Sequence, residues 1–164
     1  MRNITILTLS SFLILSLLNF CNENATESNN EITAEPVVKV SSTNYNLQTF
    51  IEVFPDTVSL AKISRAYSNH YSEDIKKHLI VFMRSEVSKL KEDPDEFIKI
   101  VSLSGCNTAG EFVLPTYAEK AYYENQEAWI FQITYGLGGP GFGHFKCFVF
   151  GTANLDTLTY FGCR

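Results

Sequence analysis

The sequence predicts an α+β domain in which helices of the N-terminal half pack on a small antiparallel three-stranded meander in the C-terminal half. Three observations carry this expectation. Apolar residues recur at helical spacing between Leu47 and Leu103, with Asp56, Ser72 and Asp93 placed to cap the runs that follow them. From Trp129 onward the apolar period changes to two. Of the 22 aromatic residues, 13 lie between Glu111 and Arg164, where charges become sparse and strands would bury them.

The helices follow in order. Leu47, Phe50, Ile51 and Phe54 stand at i, i+3, i+4 and i+7, the face of a short helix ending at Pro55. Asp56 caps a second helix with Leu60, Ile63 and Tyr67 inward and Asn69 near its end. Ser72 caps a third, with Glu73 and Asp74 where acidic charge suits the helix dipole and a stripe of Ile75, Leu79, Phe82, Met83, Val87 and Leu90. Lys76, Lys77, Arg84, Lys89 and Lys91 take the other face. A basic amphipathic helix can lie on an anionic membrane, but here the stripe reads as a core face with solvated charges opposite. Asp93-Pro94-Asp95-Glu96 supplies the cap, N1 proline and acidic first turn of a fourth helix running to Leu103 and closing near Gly105.

Pro115 to Glu124 reads as one more short helix, with Tyr117, Ala118, Ala121 and Tyr122 along one side. Trp129, Phe131, Ile133 and Tyr135 alternate with Ile130, Gln132 and Thr134 as a strand. Gly136 to Gly143 is then a loop, His144 to Phe150 a second strand, Gly151 to Asp156 a turn and Thr157 to Cys163 a third strand. A helix against a curved meander resembles cystatin-like and nuclear-transport-factor-like folds in shape, although these residues carry no motif of either.

The first residues belong to export. Met1-Arg2-Asn3 precedes an uncharged stretch from Ile4 to Phe20, whose strongly apolar part, Phe12 to Leu18, is far shorter than the ~20 residues of a spanning helix. Residues 1–20 therefore read as a removable signal peptide. Leu18 and Cys21 resemble a bacterial lipoprotein signal, in which Leu stands three before a Cys that becomes the lipidated first residue; Phe20 departs from the usual small residue. The resemblance implies acyl chains on Cys21 and a protein held to the membrane, facing periplasm or cell surface; the alternative is a secreted, soluble protein. Residues 21–35, rich in Asn, Glu, Ser and Thr, form a flexible tether, leaving 36–164 as a single domain.

Charge narrows the partners. The formal net charge is -5, but four of the 18 acidic residues lie in the tether and one of the 13 basic residues in the signal, so residues 36–164 hold 12 basic against 14 acidic side chains. No basic face exists to neutralise phosphates, which excludes nucleic acid as a partner. With Cys21 acylated, Cys106, Cys147 and Cys163 remain for a disulfide-permissive compartment. One bridge and one buried thiol are expected. Pairing Cys106 with Cys163 would pin the C-terminus, though the spacing alone leaves the other pairings open.

Five glycines between Gly136 and Gly143 precede His144, but a phosphate-cradling loop needs a helix after it, and a strand follows here. A long hairpin loop with Phe142 at its tip could close over a ligand, making Phe142, His144 and Trp129 the candidate ligand residues. Cys106, His144 and Asp156 share the chain order of papain-like and amidase-type cysteine hydrolases, which they resemble in that respect. Asn107-Thr108-Ala109-Gly110 is the wrong start for the long helix that lowers such a nucleophile's pKa. His70 and His78 have no ligand spacing, and Glu119, Glu124 and Glu127 read as solvated charge before Trp129 and not as a glycosidase pair. No metal and no cofactor are expected. The function this predicts is non-catalytic binding of a protein, peptide or small apolar ligand at the cell envelope; a structural envelope role comes second and cysteine hydrolysis third.

Overall fold

The computed structural model describes residues 34–54, 56–108, 112–136 and 142–162. Along them run strand β1 (Val37–Tyr45), helices α1 (Leu47–Val53), α2 (Thr57–Tyr67), α3 (Glu73–Lys89) and α4 (Pro94–Leu103), and strands β2 (Val113–Tyr123), β3 (Gln126–Gly136), β4 (Phe142–Gly151) and β5 (Thr157–Gly162). The signal, Cys21 and nearly all of the tether lie outside the described residues.

Each helix begins where side-chain chemistry supplies an acceptor for an orphan N–H. Asn46 and Thr49 form a reciprocal capping box on α1, and Asp56 accepts from the Val58 and Ser59 amides of α2. Ser72 accepts from the Ile75 amide at the start of α3, and Asp93 from the Asp95 amide just past Pro94 at the start of α4. Gly105, at φ +77°, closes α4 in the left-handed conformation that side chains resist.

The expected sheet is corrected. It has five strands in the order β1-β2-β3-β4-β5, with β1 parallel to β2 and every other pair antiparallel. The helices are interleaved between β1 and β2 and serve as the crossover that a parallel pair requires. An N-terminal helical half on a three-stranded meander is therefore not the architecture, and the cystatin-like or nuclear-transport-factor-like shape goes with it. Pro115–Glu124 is strand and not helix. Its Tyr117, Ala118, Ala121 and Tyr122 imitate a helical face because β2 lies between β1 and β3 and is buried without a break from Val113 to Glu119. When both sides of a strand are covered, the period of two disappears. Glu124 and Asn125, both at positive φ, make the tight turn into β3.

Helices cover both faces. Trp129 and Phe131 of β3, Ala118 of β2 and Phe150 of β4 pack against Met83 and Val87 of α3 and Phe97 and Ile100 of α4. The alternate residues Tyr117, Ala121, Ile130 and Val149 pack against Phe50 of α1 and Phe54 just past its end. Alpha2 joins α1 on that second face: the Asp56 amide donates to Gln132 Oε1 at 2.8 Å, and Ser64 Oγ lies 3.2 Å from Thr134 Oγ1. Among the described residues no helix is long and apolar enough to cross a membrane.

Candidate functional site

Beta2 places Tyr117 and Glu119 two residues apart, hence on one face, the face that α1 covers. The parallel register sets Lys39 of β1 beside Glu119, and Gln132 of β3 stands opposite Tyr117. Tyr117, together with Lys39 and Tyr45 from the distant strand β1, thus meets the carboxylate of Glu119. Glu119 is fully buried. Its Oε2 accepts from the Tyr117 hydroxyl at 2.7 Å and the Tyr45 hydroxyl at 3.2 Å. Lys39 Nζ stands 3.4 Å from Oε1 and 5.5 Å from the centre of the Tyr117 ring, while its side chain remains 49% exposed. Phe54 packs edge-on against Tyr117 and Tyr45, with ring centres 5.3 and 5.6 Å away, and walls the carboxylate from α1.

Two polar atoms here are buried with no hydrogen-bond partner among the described residues: Glu119 Oε1 and Gln132 Nε2. A buried polar group without a partner loses roughly 1–3 kcal/mol of solvation, so such groups are few in folded proteins and concentrate where something else is bound or exchanged. The Lys39 ammonium answers the carboxylate's charge, but 3.4 Å is long for a charge-assisted bond, which usually spans about 2.7–2.9 Å.

The phenols are not proton carriers near neutrality. Burial first, and then the Glu119 charge, pushes Tyr45 up to about 12, and burial with the Glu119 hydrogen bond raises Tyr117 further above the ordinary phenol range. In the unfolded chain both tyrosines would lose their protons above pH ~10 while the folded chain keeps them, so the folded state binds more protons there and stability falls as pH rises. We expect the urea midpoint to begin to decline near pH 9, where the Cys106 thiol ionises in the unfolded chain alone, and to fall further from about pH 10 through pH 12, with Tyr117→Phe removing part of the later decline. An equally steep alkaline loss in Tyr117→Phe would sever the link to this cluster. At neutral pH both phenols therefore hold their protons and donate to Glu119 Oε2.

The residues singled out in the sequence fall elsewhere. Trp129 is fully buried on the opposite face, its indole N–H donating to Glu96 Oε2 at 3.2 Å. Phe142 packs 5.8 Å from Tyr71 beside the Ile63–Leu79–Leu114 cluster. The His144 ring lies 5.5 Å from that of Tyr135, and the His144 carbonyl accepts from Thr134 Oγ1. Residues 137–141 of the glycine loop lie outside the described residues.

The hydrolase triad does not assemble. The Asp156 carbonyl accepts from the Gly151 amide at the far end of β4 from His144. Seven residues of strand separate the two ends, about 23 Å at the usual rise. Cys106 is a free thiol buried in the α3–α4 core, and burial pushes it up to about 12, far from a nucleophilic thiolate. Its expected disulfide partner, Cys163, lies outside the described residues, and Cys147 is buried on the α1 face. A thiol reagent is expected to leave Cys106 unmodified in the native protein and to modify it fully in denaturant; rapid native labelling would contradict this burial. Nor do the glutamates pair. Glu119 faces α1, whereas Glu127 faces away from it and lies 3.4 Å from Lys120. His70 and His78 are exposed.

Sequence reasoning misses Lys39, Tyr45, Tyr117 and Gln132. The spacing Tyr117-x-Glu119 becomes a usable signal only once that segment is known to be a strand. Comparison with family models, curated proteins and solved structures gives no match.

Proposed function

We propose that the domain is a non-catalytic binding module, held at the cell envelope through a lipidated Cys21, and that its ligand is a protein docked on the outer shoulder of α1. One observation carries the choice of a protein over a small ligand. Of the four residues on the apolar face of α1, Phe50 and Phe54 are buried, but Leu47 and Ile51, one turn apart, each stay 51% exposed. Val53 and Val58 just beyond them are 58% and 61% exposed. Scattered surface apolar residues are ordinary, but Leu47 and Ile51 adjoin each other on one flank of α1, and Val53 and Val58 add further apolar exposure at the α1–α2 corner. Gln48 and Glu52, which hydrogen-bond to each other on the polar side of α1, bound it with a hydrophilic rim.

A photocrosslinking residue at Ile51 tests this, with the exposed Lys77 of α3 as control. Discrete adducts from position 51 and none from position 77, in membranes containing the full chain, support the reading; no adduct, or equal labelling from both, removes the docking surface. The intact mass of the membrane-extracted protein tests the anchor separately. A chain beginning at Cys21 with added acyl groups is the expected result, and a start elsewhere without lipid would discard the lipoprotein assignment.

A further inference from the structure

The Glu119 cluster is independent of the α1 shoulder, and its geometry has a consequence for strand β1. The carboxylate is oriented by Tyr117 and Tyr45, which bind Oε2 whether or not Lys39 is present. Tyr45 is itself well held. Its carbonyl accepts from the Glu124 amide at 2.7 Å, and neighbouring Asn44 exchanges two hydrogen bonds with Asn125. Val37 to Val40 pairs with Tyr117 to Lys120, and the register then shifts before pairing resumes at Asn44. Ser41 to Thr43, between the two paired stretches, is polar and satisfies itself locally through the Thr43 amide and Ser41 Oγ.

This N-terminal arm of β1 is held by its pairing with β2 and by the residues just before it, where Pro36 is buried and the Ala34 carbonyl accepts from the Tyr67 hydroxyl at 3.0 Å, contacts that a second copy of the arm would remake. Val37 and Val40 are exposed, and Val38 packs against the core only as a partly buried neighbour. The arm is an edge strand in parallel pairing, which is somewhat weaker per residue than antiparallel, and an edge strand with a hinge behind it is the element most readily exchanged between chains. Within Val37–Val40 the polar side-chain contact is the Lys39 ammonium, set over the Tyr117 ring and against a carboxylate oxygen that it does not hydrogen-bond.

We infer that Glu119, Tyr117 and Tyr45 form a lysine-recognition slot that persists when the Val37–Val40 arm leaves, and that the arm of a second copy of this chain can enter it, pairing with β2 and placing its own Lys39 on Glu119. The slot selects by charge and by ring: the buried carboxylate requires a cation, the Tyr117 face favours an ammonium over a neutral group, and the β2 edge requires an extended backbone. An arm without lysine fits the edge but leaves the carboxylate unanswered.

Two variants of the full chain separate the arm from the slot. Lys39→Ala keeps the slot and disables the arm; Glu119→Gln keeps the arm and disables the slot while leaving an acceptor for both tyrosines. Each alone is expected to sediment as a monomer. An equimolar mixture is expected to form a heterodimer, because the intact arm of one chain fits the intact slot of the other. A mixture that stays monomeric, with both variants folded by circular dichroism, overturns the inference. Dimers of equal strength in each variant alone overturn it as well, since association would then not depend on Lys39 and Glu119. Should Glu119→Gln not fold, a labelled peptide spanning Ala34 to Ser42 replaces its arm. That peptide is expected to bind the Lys39→Ala chain at least tenfold more tightly than the same peptide with methionine at the lysine position, and equal binding of the two overturns the claim of lysine recognition.

Discussion

Trp129→Ala is expected to lower the stability of the domain by about 3–5 kcal/mol, the usual range for removing a large aromatic side chain from a packed core. Trp129 is fully buried, stands among Phe97, Phe131 and Phe150, and satisfies its indole N–H on Glu96. Alanine removes those contacts and leaves a cavity between β3 and α4 that neither rigid element can close. A urea titration measures the effect: the midpoint should fall with the slope unchanged, since the same surface is exposed on unfolding. Trp129→Phe keeps most of the volume and is expected to lose clearly less. Because this is the only tryptophan in the chain, its fluorescence reports the same burial. Emission typical of water in the native state, or a stable Trp129→Ala chain, would return this residue to the ligand-contacting role that its neighbourhood in the sequence suggests.

Glu119→Leu is expected to cost about 2–5 kcal/mol for a different reason, each buried polar group stranded without a partner costing roughly 1–3 kcal/mol. The Tyr45 and Tyr117 hydroxyls both donate to the carboxylate, and leucine leaves both without an acceptor. Lys39 adds less than a fully buried partner would, because half of its side chain is exposed and its ammonium can return to water. Glu119→Gln retains an acceptor and should fall between leucine and the wild type. Comparing urea midpoints of the three chains checks the order. Equal losses in the leucine and glutamine variants would assign the stability to the charge on Glu119 and not to the phenol hydrogen bonds.

The two substitutions mark the boundary of what is legible along the chain. Both residues stand in the segment after Glu111, where the alternation around Trp129 marks β3 as a strand while the spacing of Tyr117, Ala118, Ala121 and Tyr122 makes β2 look like a helix. The alternation survives in β3 because Gln132 and Thr134 interrupt its α1–α2 face with polar side chains, although all of them are buried. In β2 the equivalent pattern is hidden, since Val113 to Glu119 is buried without a break and from Tyr117 onward the strand is paired at both edges. A buried Glu looks like a surface Glu until its partners are known.

The sequence alone determined the starts of the last three helices, through Asp56, Ser72 and Asp93, together with the place of α1, the turn at Gly105 and the course of β3 to β5. These features rest on contacts within one helical turn or on the alternation of neighbouring residues, so the information that specifies them lies within a few positions. Tertiary structure alone decided that Val37–Tyr45 is a strand and that Pro115–Glu124 is another. It also decided that Trp129 belongs to the core, and that Leu47 and Ile51 are left outside it. The candidate site belongs wholly to this second group: Tyr45 and Glu119 are 74 residues apart in sequence, and only the parallel register of β1 on β2 brings them together. That register is set by the helices of the crossover and by the burial of both sheet faces, and no local pattern of residues encodes either.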